Sequence, residues 1–571
     1  MSKSERLKKI TESWIYPLAL FILPLLTVNQ GVDVSDSTYS LGNYLFADKL
    51  DGMWVISTYL SNLIGSAVVR LPGGSRLLWA NVYTGIILSA IGILVYFSLK
   101  KEFNSAHVFI GECIALCLCW IPTGILYNYV SYFLMAAGGM LLFWAVKKDS
   151  KLLMFWAGVV LGVNVFARIP NITQMAFILM LWVYALYTGM KFKDAAIRTG
   201  CCVGGYALGM GAMLIVVIIQ YGINGIADMI SGLAGITSTD ETYTPVSMII
   251  GTLKAYVRSF KWVFVVALVV VGGIMLYRIL PEKFTALKTV IYLAVIAVMI
   301  RFFWGRGMFS FRYYEDYSSM YEWGMLALYL SIILDIYALV CRGKEKSDYI
   351  LLAIMSLVTI MIAPLGSNNY TYQNLNNMFL VMPVTMILGL DMVSLLADKA
   401  KKWINIPVVI MFMVLIVCIM VQSFGFNLKF VFRDGMRGEQ RDTAIVGVDS
   451  LKGMYTNSEH AKNLEGLANC AQINQSESII LYGNCPGLTY ILNKPSALFS
   501  SWADLDSNPF ELVKADLDRI EVENDYPVVI MGKGEGTAVN YYDKYDLIMN
   551  FINCNEYSLV YDNSEFTVYA H

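Results

Sequence analysis

The chain has 571 residues, of which 57% are hydrophobic and only 15% are charged, and its mean hydropathy is +0.57. Ordinary soluble domains carry about a quarter charged residues, so the composition excludes a soluble globular protein and indicates a polytopic membrane protein. The formal net charge of −1, from 42 basic and 43 acidic residues, gives no reason to expect a nucleic acid partner.

Thirteen apolar segments predict a helical membrane part over residues 1–425, because a membrane-spanning helix takes about 20 apolar residues. A polar tail of about 145 residues follows them. The predicted spans are 14–28, 78–98, 105–122, 124–146, 152–168, 172–190, 198–220, 261–278, 287–304, 322–341, 349–366, 376–397 and 405–424.

Lysines and arginines cluster at the N-terminus and in every second gap between the predicted spans. Positive charge is enriched at the cytoplasmic ends of spans, so we expect a multi-pass protein of the cell membrane with a cytoplasmic N-terminus. An odd number of spans then places the tail on the extracytoplasmic side. The clusters are Lys3/Arg6/Lys8/Lys9, Lys100/Lys101, Lys147/Lys148/Lys151, Lys191/Lys193/Arg198, Arg278/Lys283/Lys288, Arg342/Lys344/Lys346 and Lys399/Lys401/Lys402.

Two outer loops, 29–77 and 221–260, contain further apolar stretches. Counting Trp54–Val69 as a span would move the Lys100/Lys101 cluster to the outer side. We therefore predict that Tyr39–Leu50 and Trp54–Val69 form helices that lie at the membrane interface. The amphipathic stretches Ile223–Leu233 and Pro245–Ser259 are predicted to form a second interfacial pair.

The tail, residues 426–571, has the pattern of a small α/β domain. Short apolar runs predict strands, and apolar residues at helical spacing predict the segments between them. The predicted strands are Ser478–Tyr482, Tyr526–Met531, Tyr557–Val560 and Phe566–Tyr569, and the predicted helices are Met454–Asn469, Pro509–Val522 and Asn540–Ile552.

Cysteine and histidine are too few and too scattered to indicate a particular chemistry. Only Cys470, Cys485 and Cys554 of the ten cysteines lie in the tail, without the spacing of metal ligands. The three histidines are far apart in the sequence, which makes a histidine-based triad improbable. The candidate chemistry therefore rests on carboxylates, arginines and neutral donors.

The first outer loop carries two carboxylates, Asp33 and Asp36, just beyond the first span. Ionisable groups at membrane depth are functional by default, although a pair of solvated surface acids is the plain alternative. As functional groups, they could act as a general base or hold a divalent cation such as Mg²⁺ or Mn²⁺.

Arg168 ends the fifth span on the outer side, against the orientation rule. Arginine binds phosphate through two parallel hydrogen bonds, but an arginine that only extends to the interface is the alternative. Two more predicted outer loops are polar, one after the ninth span and one after the eleventh. The charges of the first could form a surface that binds a polar ligand, but a solvated loop with internal salt bridges explains them equally well. The candidate residues of the two loops are Arg301, Arg306, Arg312, Tyr313, Glu315, Asp316, Asn368, Asn369 and Tyr370.

In this arrangement the chain resembles the GT-C class of integral-membrane glycosyltransferases, which includes protein mannosyltransferases, oligosaccharyltransferases and aminoarabinose transferases. The resemblance rests on the acids Asp33 and Asp36, on Tyr127-Asn128 at the start of the fourth span, on the stretch Gly162–Pro170 with Arg168, and on the outer α/β domain. The chain differs from the mannosyltransferase pattern of adjacent Asp-Glu, and no His-Pro-Pro motif follows the first loop.

The resemblance implies transfer of a sugar from a polyprenyl-phosphate donor to a glycan, lipid or protein acceptor on the extracytoplasmic face. It assigns the catalytic role to Asp33 or Asp36. A polytopic transporter or flippase of lipid-linked oligosaccharides is the alternative function, and a non-catalytic polysaccharide-assembly or receptor component is a third. The implied phosphate-binding residues are Arg168, Arg301, Arg306 and Arg312, and the implied substrate-binding residues are Tyr127, Asn128, Tyr313, Glu315, Asp316, Asn368, Asn369 and Tyr370.

Overall fold

The computed structural model describes most of the chain. Four predicted site residues, Arg312, Tyr313, Glu315 and Asp316, lie outside the described residues. The described ranges are 3–50, 52–119, 127–239, 244–311, 318–343, 345–398, 402–431, 434, 440–505, 508–533 and 542–571.

The prediction of a polytopic helical membrane protein is confirmed. Within the described residues, eight helices are long and apolar enough to cross a membrane: Leu77–Leu99, Tyr127–Lys147, Ile169–Thr188, Phe192–Ala234, Pro245–Ile279, Glu282–Gly305, Ser318–Arg342 and Ile404–Lys429. Four shorter apolar helices coincide with four other predicted spans: Ser105–Leu118, Lys151–Phe166, Ser347–Ile362 and Met382–Leu396.

The first predicted span lies in a helical stretch whose winding changes along its length. Proline cannot donate a backbone hydrogen bond, and Pro17 and Pro24 each stand at the start of a new type of helical turn. The stretch consists of α-helix Lys3–Ile10, π-helix Thr11–Ile15, α-helix Tyr16–Ile22 and 3₁₀-helix Leu23–Leu25.

The predicted interfacial pair in loop 221–260 continues the neighbouring spans. The element Phe192–Thr239 is broken only at Gly222, whose φ is 73°, and the helix Pro245–Ile279 runs through all its 35 residues. At 1.5 Å per residue the second helix is about 52 Å long, much longer than a hydrocarbon core of about 30 Å. Lysine and arginine are good helix formers, so the charges at 254–261 do not end the helix.

Two of the membrane helices pack unusually closely through glycines. A Cβ atom at Gly158 would lie 2.0 Å from the carbonyl oxygen of Cys202, and one at Gly205 would lie 1.9 Å from that of Phe155. The same holds one turn further along, at Gly162 and Gly209. Small residues four apart let helix backbones approach closely in membranes, so these glycines set the distance between Lys151–Val163 and Phe192–Thr239.

The first loop of the membrane part, residues 29–77, folds into short helices. The hydroxyl of Ser61 donates to the carbonyl of Ala167 at 3.0 Å and so ties this loop to the end of the fifth span. A Cβ atom at Gly65 would lie 2.4 Å from the ring of Tyr44, which shows how closely the loop helices pack on each other. The loop helices are Asp36–Leu45, Ala47–Lys49, Gly52–Ser57 and Tyr59–Val69.

The C-terminal part contains a four-stranded mixed sheet and a separate two-stranded pair. Strands β1 (Thr443–Ala444) and β2 (Tyr455–Thr456) pair antiparallel. In the larger sheet the strand order is β3-β4-β6-β5, with β3 parallel to β4 and the other pairs antiparallel. Its strands are β3 (Ile479–Tyr482), β4 (Val528–Gly532), β5 (Ser558–Asp562) and β6 (Phe566–Ala570).

Helices cover the sheet and connect its strands. Val513, Leu517 and Ile520 recur at helical spacing and pack with the β3 residue Ile480 and the β4 residue Val529 in one apolar cluster. The α/β pattern of the tail is therefore confirmed. The helical elements after residue 440 are Asp449–Leu451, Ser458–Ala468, Ala471–Gln475, Leu488–Ile491, Phe510–Glu523 and Tyr542–Cys554.

The α/β domain rests on this first loop. Backbone hydrogen bonds join the N–H of Gly31 to the carbonyl of Tyr455 at 2.7 Å, the N–H of Tyr455 to the carbonyl of Asn29 at 2.8 Å, and the N–H of Gly487 to the carbonyl of Val34 at 2.8 Å. We call residues 29–34 the docked segment. The side of the membrane part that carries this segment and the domain is called the domain face.

Candidate functional site

Arg168 lies at the end of the fifth span, where the chain passes from helix to an extended residue and then into the 3₁₀-helix Ile169–Ile178. Its half-buried guanidinium donates to the carbonyl of Gly366 and to the side-chain oxygen of Asn128, and lies 5.2 Å from the centre of the Tyr127 ring. The structure thus brings together Arg168, Tyr127, Asn128 and the loop that begins at Gly366.

No carboxylate among the described residues lies within the 4.0 Å of an ion pair with Arg168. Its described hydrogen-bond partners are a backbone carbonyl and an amide, both neutral. A half-buried guanidinium remains accessible and can bind an anion through paired hydrogen bonds. The environment therefore favours an anionic ligand at this position.

Local backbone geometry brings the Gly366 carbonyl to Arg168. Gly366 has a φ of +90°, and a Cβ atom there would lie 2.1 Å from the Cβ of Pro170. Only glycine satisfies both the positive φ and the close approach. Two chain segments that are 198 residues apart meet at this point.

Buried and half-buried amides and hydroxyls surround Arg168. Asn164 donates to the side-chain oxygen of Gln174 at 2.9 Å, Asn171 donates to the hydroxyl of Ser131 at 2.9 Å, and the hydroxyl of Tyr132 donates to Gln373 at 3.0 Å. We call the cavity beside them the polar pocket. It is lined by Asn128, Ser131, Tyr132, Met135, Arg168, Pro170, Asn171, Thr173, Gln174, Ile362, Ala363, Leu365, Gln373 and Asn377.

Several polar lining residues were not among the sequence candidates. Ser131 and Tyr132 lie one turn beyond the predicted Asn128, and a polar stripe at helical spacing on an apolar span was the signal for them. Gln373 lies in the short helix Thr371–Asn376 that follows the predicted Asn368, and Asn377 is the C-cap residue of this helix. Single amides are common in soluble loops, so only their burial distinguishes them.

Asp33 is only 4% exposed, and its carboxylate caps a helix. One oxygen accepts from the backbone N–H of Ser35 at 2.7 Å and also from the Ser35 hydroxyl, and the other accepts from the N–H of Ser37 at 2.9 Å. These groups belong to the start of the helix Asp36–Leu45, where a negative charge is favourable. The structure therefore gives Asp33 a role in holding this helix.

Asp36 is half-buried and begins the same helix. Burial raises the pKa of Tyr39, one turn later, to about 12; hydrogen bonds with Asn43 and Ser500 oppose this rise, and the charges of Tyr127 and Asp36 add to it. Tyr39 therefore lies within electrostatic reach of both Asp36 and Tyr127.

Among the described residues, those around Asp33 and Asp36 do not by themselves form a ligand set for a Mg²⁺ or Mn²⁺ ion. Hard divalent cations take six or more oxygen ligands, several of them carboxylates in dedicated protein sites. Across the part of the chain that the structure describes, no three His, Cys, Asp or Glu residues come together as a ligand set. Both oxygens of Asp33 are already used as hydrogen-bond acceptors.

The other described candidates lie outside the pocket lining. Arg301 and Arg306 are exposed near the end of the helix Thr285–Gly305, with the Arg306 guanidinium 5.5 Å from the Phe302 ring. Asn368 is half-buried and Asn369 is exposed in the loop beside the pocket. The ring of the neighbouring residue Tyr370 packs on the helix Pro245–Ile279, where a Cβ atom at Gly251 would lie 2.1 Å from it.

The fold was compared with solved structures and the sequence with known proteins. No protein family model and no curated protein matches the sequence. The fold is similar to the crystal structure of the Archaeoglobus fulgidus oligosaccharyltransferase complex with Zn and sulfate, with a TM-score of 0.49 and 11% sequence identity. The match covers 97% of this chain and 73% of that chain.

Proposed function

We propose that this protein is a membrane glycosyltransferase that moves a hexose or pentose from a polyprenyl-phosphate donor to an acceptor on the domain face. The single observation that carries the proposal is Arg168, a half-buried guanidinium whose described partners are all neutral. A phosphate at the membrane surface is the anion that such a group recognises best.

The surroundings of Arg168 support a sugar beside the phosphate. Asn128, Asn171 and Gln373 present amides to the polar pocket, and Tyr132 adds a phenol. Amides and hydroxyls both donate and accept hydrogen bonds, as sugar hydroxyls require. An apolar lipid chain attached to the phosphate would remain in the membrane next to the spans.

The proposed reaction follows from these positions. The acceptor nucleophile attacks the anomeric carbon of the sugar, the bond from that carbon to the phosphate oxygen breaks, and the acceptor proton passes to a carboxylate. Negative charge grows on the departing lipid phosphate, where Arg168 stabilises it in the transition state. Asp36 is the proposed base, since the Asp33 carboxylate already accepts hydrogen bonds from the helix start.

The proposal is tested by Arg168→Ala in membranes supplied with a panel of polyprenyl-monophosphate hexoses and pentoses. Loss of a positioned donor to a developing anion lowers kcat/KM by about a hundredfold or more. Arg168→Lys keeps the charge but not the paired hydrogen bonds, so an intermediate value is expected. Arg70→Ala is the matched control, because Arg70 is exposed on the same face.

A wild-type dependence on donor concentration in Arg168→Ala would overturn the assignment of the phosphate site. The same assay separates transfer from the alternative function of a flippase. Movement of the donor lipid across a vesicle membrane, with the bond between sugar and phosphate left intact, would identify a flippase and contradict the proposal.

A further inference from the structure

Side chains of the α/β domain hold both backbone polar groups of Val32 in the docked segment. The N–H of Val32 donates to a carboxylate oxygen of Asp434 at 2.7 Å, and its carbonyl lies 3.1 Å from Nε2 of His460. All three residues are nearly inaccessible, with exposed fractions of 0% for Val32, 6% for Asp434 and 3% for His460. Residues about 400 positions apart in the chain are thus in contact at a site that is shielded from water.

The two neighbours of the His460 ring require it to be charged. Nδ1 lies 2.7 Å from a carboxylate oxygen of Glu565, and Nε2 faces the Val32 carbonyl. A carboxylate and a carbonyl only accept hydrogen bonds, while a neutral imidazole has a single N–H. Both contacts are hydrogen bonds at once only when His460 is an imidazolium.

The charges around the ring favour the same state. Burial lowers the pKa of His460, but the hydrogen bond and charge of Glu565, the charge of Asp434 and the Val32 carbonyl together raise that pKa above its ordinary value. Burial raises the pKa of Glu565, yet the hydrogen bond and charge of His460 bring it below its ordinary value. Glu565 is therefore the anionic partner.

The remaining charged groups nearby are engaged elsewhere. Arg441 forms an ion pair with Asp434 and donates to the carbonyl of Lys429. On the same helix as His460, Glu459 accepts a hydrogen bond from Ser564. Asp33, next to Val32, caps the helix start through Ser35 and Ser37.

We propose that His460 is a positioning residue whose imidazolium clamps the docked segment, and with it Asp33 and Asp36, onto the α/β domain, and that its deprotonation loosens the segment. A histidine with a raised pKa stabilises the docked state fully below about pH 6.5. That stabilisation is lost as the pH rises through the raised value. The effect on sugar transfer rests on the proposed function, whereas the clamp itself does not.

Hydrogen exchange of the purified full-length chain in detergent tests the clamp, because the N–H groups of Gly31 and Val32 point into the domain. After correction for the base-catalysed rate, protection of a peptide over residues 28–38 is expected to fall on the order of tenfold between pH 6 and pH 9.5, as loss of a charge-assisted hydrogen bond requires. His460→Gln is expected to show low protection at every pH. Glu565→Gln is expected to move the midpoint to lower pH.

His571→Gln is the matched control. His571 is exposed in the same domain and stacks on Tyr526, so its replacement is expected to leave the wild-type midpoint. A peptide over Val528–Gly532 in the central sheet reports the fold of the domain in every variant. Protection of residues 28–38 that does not change with pH in the wild type, or an unchanged midpoint in Glu565→Gln, would overturn the clamp.

Sugar transfer measured on the same samples tests the positioning role. A fall in kcat that follows the loss of protection, with the midpoint moved equally by Glu565→Gln, supports that role. Changed protection with unchanged kcat contradicts it. Failure of the proposed function is recognised separately, since Arg168→Ala would then leave donor use unaltered while the exchange results stand.

Discussion

At the scale of single residues, the two acids of the first outer loop have different surroundings. Both were equal candidates in the sequence, where only their position beyond the first span was visible. In the structure the Asp33 carboxylate is buried against the start of a helix, while Asp36 is half-buried near Tyr39. Sequence could not separate them, because the groups that Asp33 binds are backbone N–H groups fixed by folding.

Asp33→Ala is expected to lower the stability of the protein, whereas Asp36→Asn is expected to lower its activity. Removing the Asp33 cap costs about 1–2 kcal/mol of unfolding free energy, measurable by denaturation in mixed micelles. Asp36→Asn keeps the shape and is expected to change stability by less than about 0.5 kcal/mol. Its kcat for sugar transfer is expected to fall about a hundredfold or more with loss of the base. A wild-type kcat in Asp36→Asn would remove it as the base.

The polar pocket shows what sequence could predict of the site. Arg168 was found because a cation on the domain face runs against the orientation rule, and Tyr127 and Asn128 were found through resemblance. Gln373 and Asn377 line the same cavity. Gln373 belongs to the polar loop predicted after the eleventh span, whereas nothing in the local sequence marks Asn377. Their importance comes from a contact between segments about 200 residues apart, which only the folded chain shows.

At the scale of elements, the α/β domain was predicted well. Its strands are short apolar runs, and its helices carry apolar residues at helical spacing, so the two patterns are easily distinguished. The loop 221–260 was predicted less well. Apolar periodicity continues through the charges at 254–261, and a helix there can leave the membrane without ending. The break at Gly222 depends on a φ of 73°, which glycine allows but does not require.

The glycine contact between Lys151–Val163 and Phe192–Thr239 gives a prediction at this scale. Gly205→Ala is expected to lower the unfolding free energy by about 1–3 kcal/mol, since its Cβ atom would lie 1.9 Å from the Phe155 carbonyl oxygen. The neighbouring Gly204→Ala is the control, because no atom lies within 4 Å of its Cβ position. It is expected to stabilise the helix by up to about 1 kcal/mol. Equal stability of both variants, measured by denaturation in mixed micelles, would contradict the close contact.

At the scale of the whole molecule, the polar pocket, the docked segment and the α/β domain all lie on the domain face. The hydrogen bond from Ser61 to the Ala167 carbonyl joins the first outer loop to the end of the fifth span. The bonds from Gly31 and Gly487 join that loop to the domain. A movement of the domain therefore acts on the loop that carries Asp36 and, through Ser61 and Ala167, on the chain next to Arg168.

Two native cysteines make the orientation of the domain face measurable. Cys554 is exposed in the α/β domain, and Cys341 is exposed beside Arg342 at the opposite ends of the spans. Because the basic gaps indicate the cytoplasmic side, a membrane-impermeant maleimide added to intact cells is expected to label Cys554 and not Cys341. After permeabilisation both are expected to react.

The variants Cys554→Ser and Cys341→Ser assign each label to its residue. Cys113, Cys201 and Cys418 are only partly accessible in the membrane part, so the double variant measures the background. Labelling of Cys341 in intact cells, with Cys554 protected until permeabilisation, would reverse the orientation. It would place the Arg168 pocket on the cytoplasmic side, where a sugar donor would have to be supplied from the cytoplasmic leaflet.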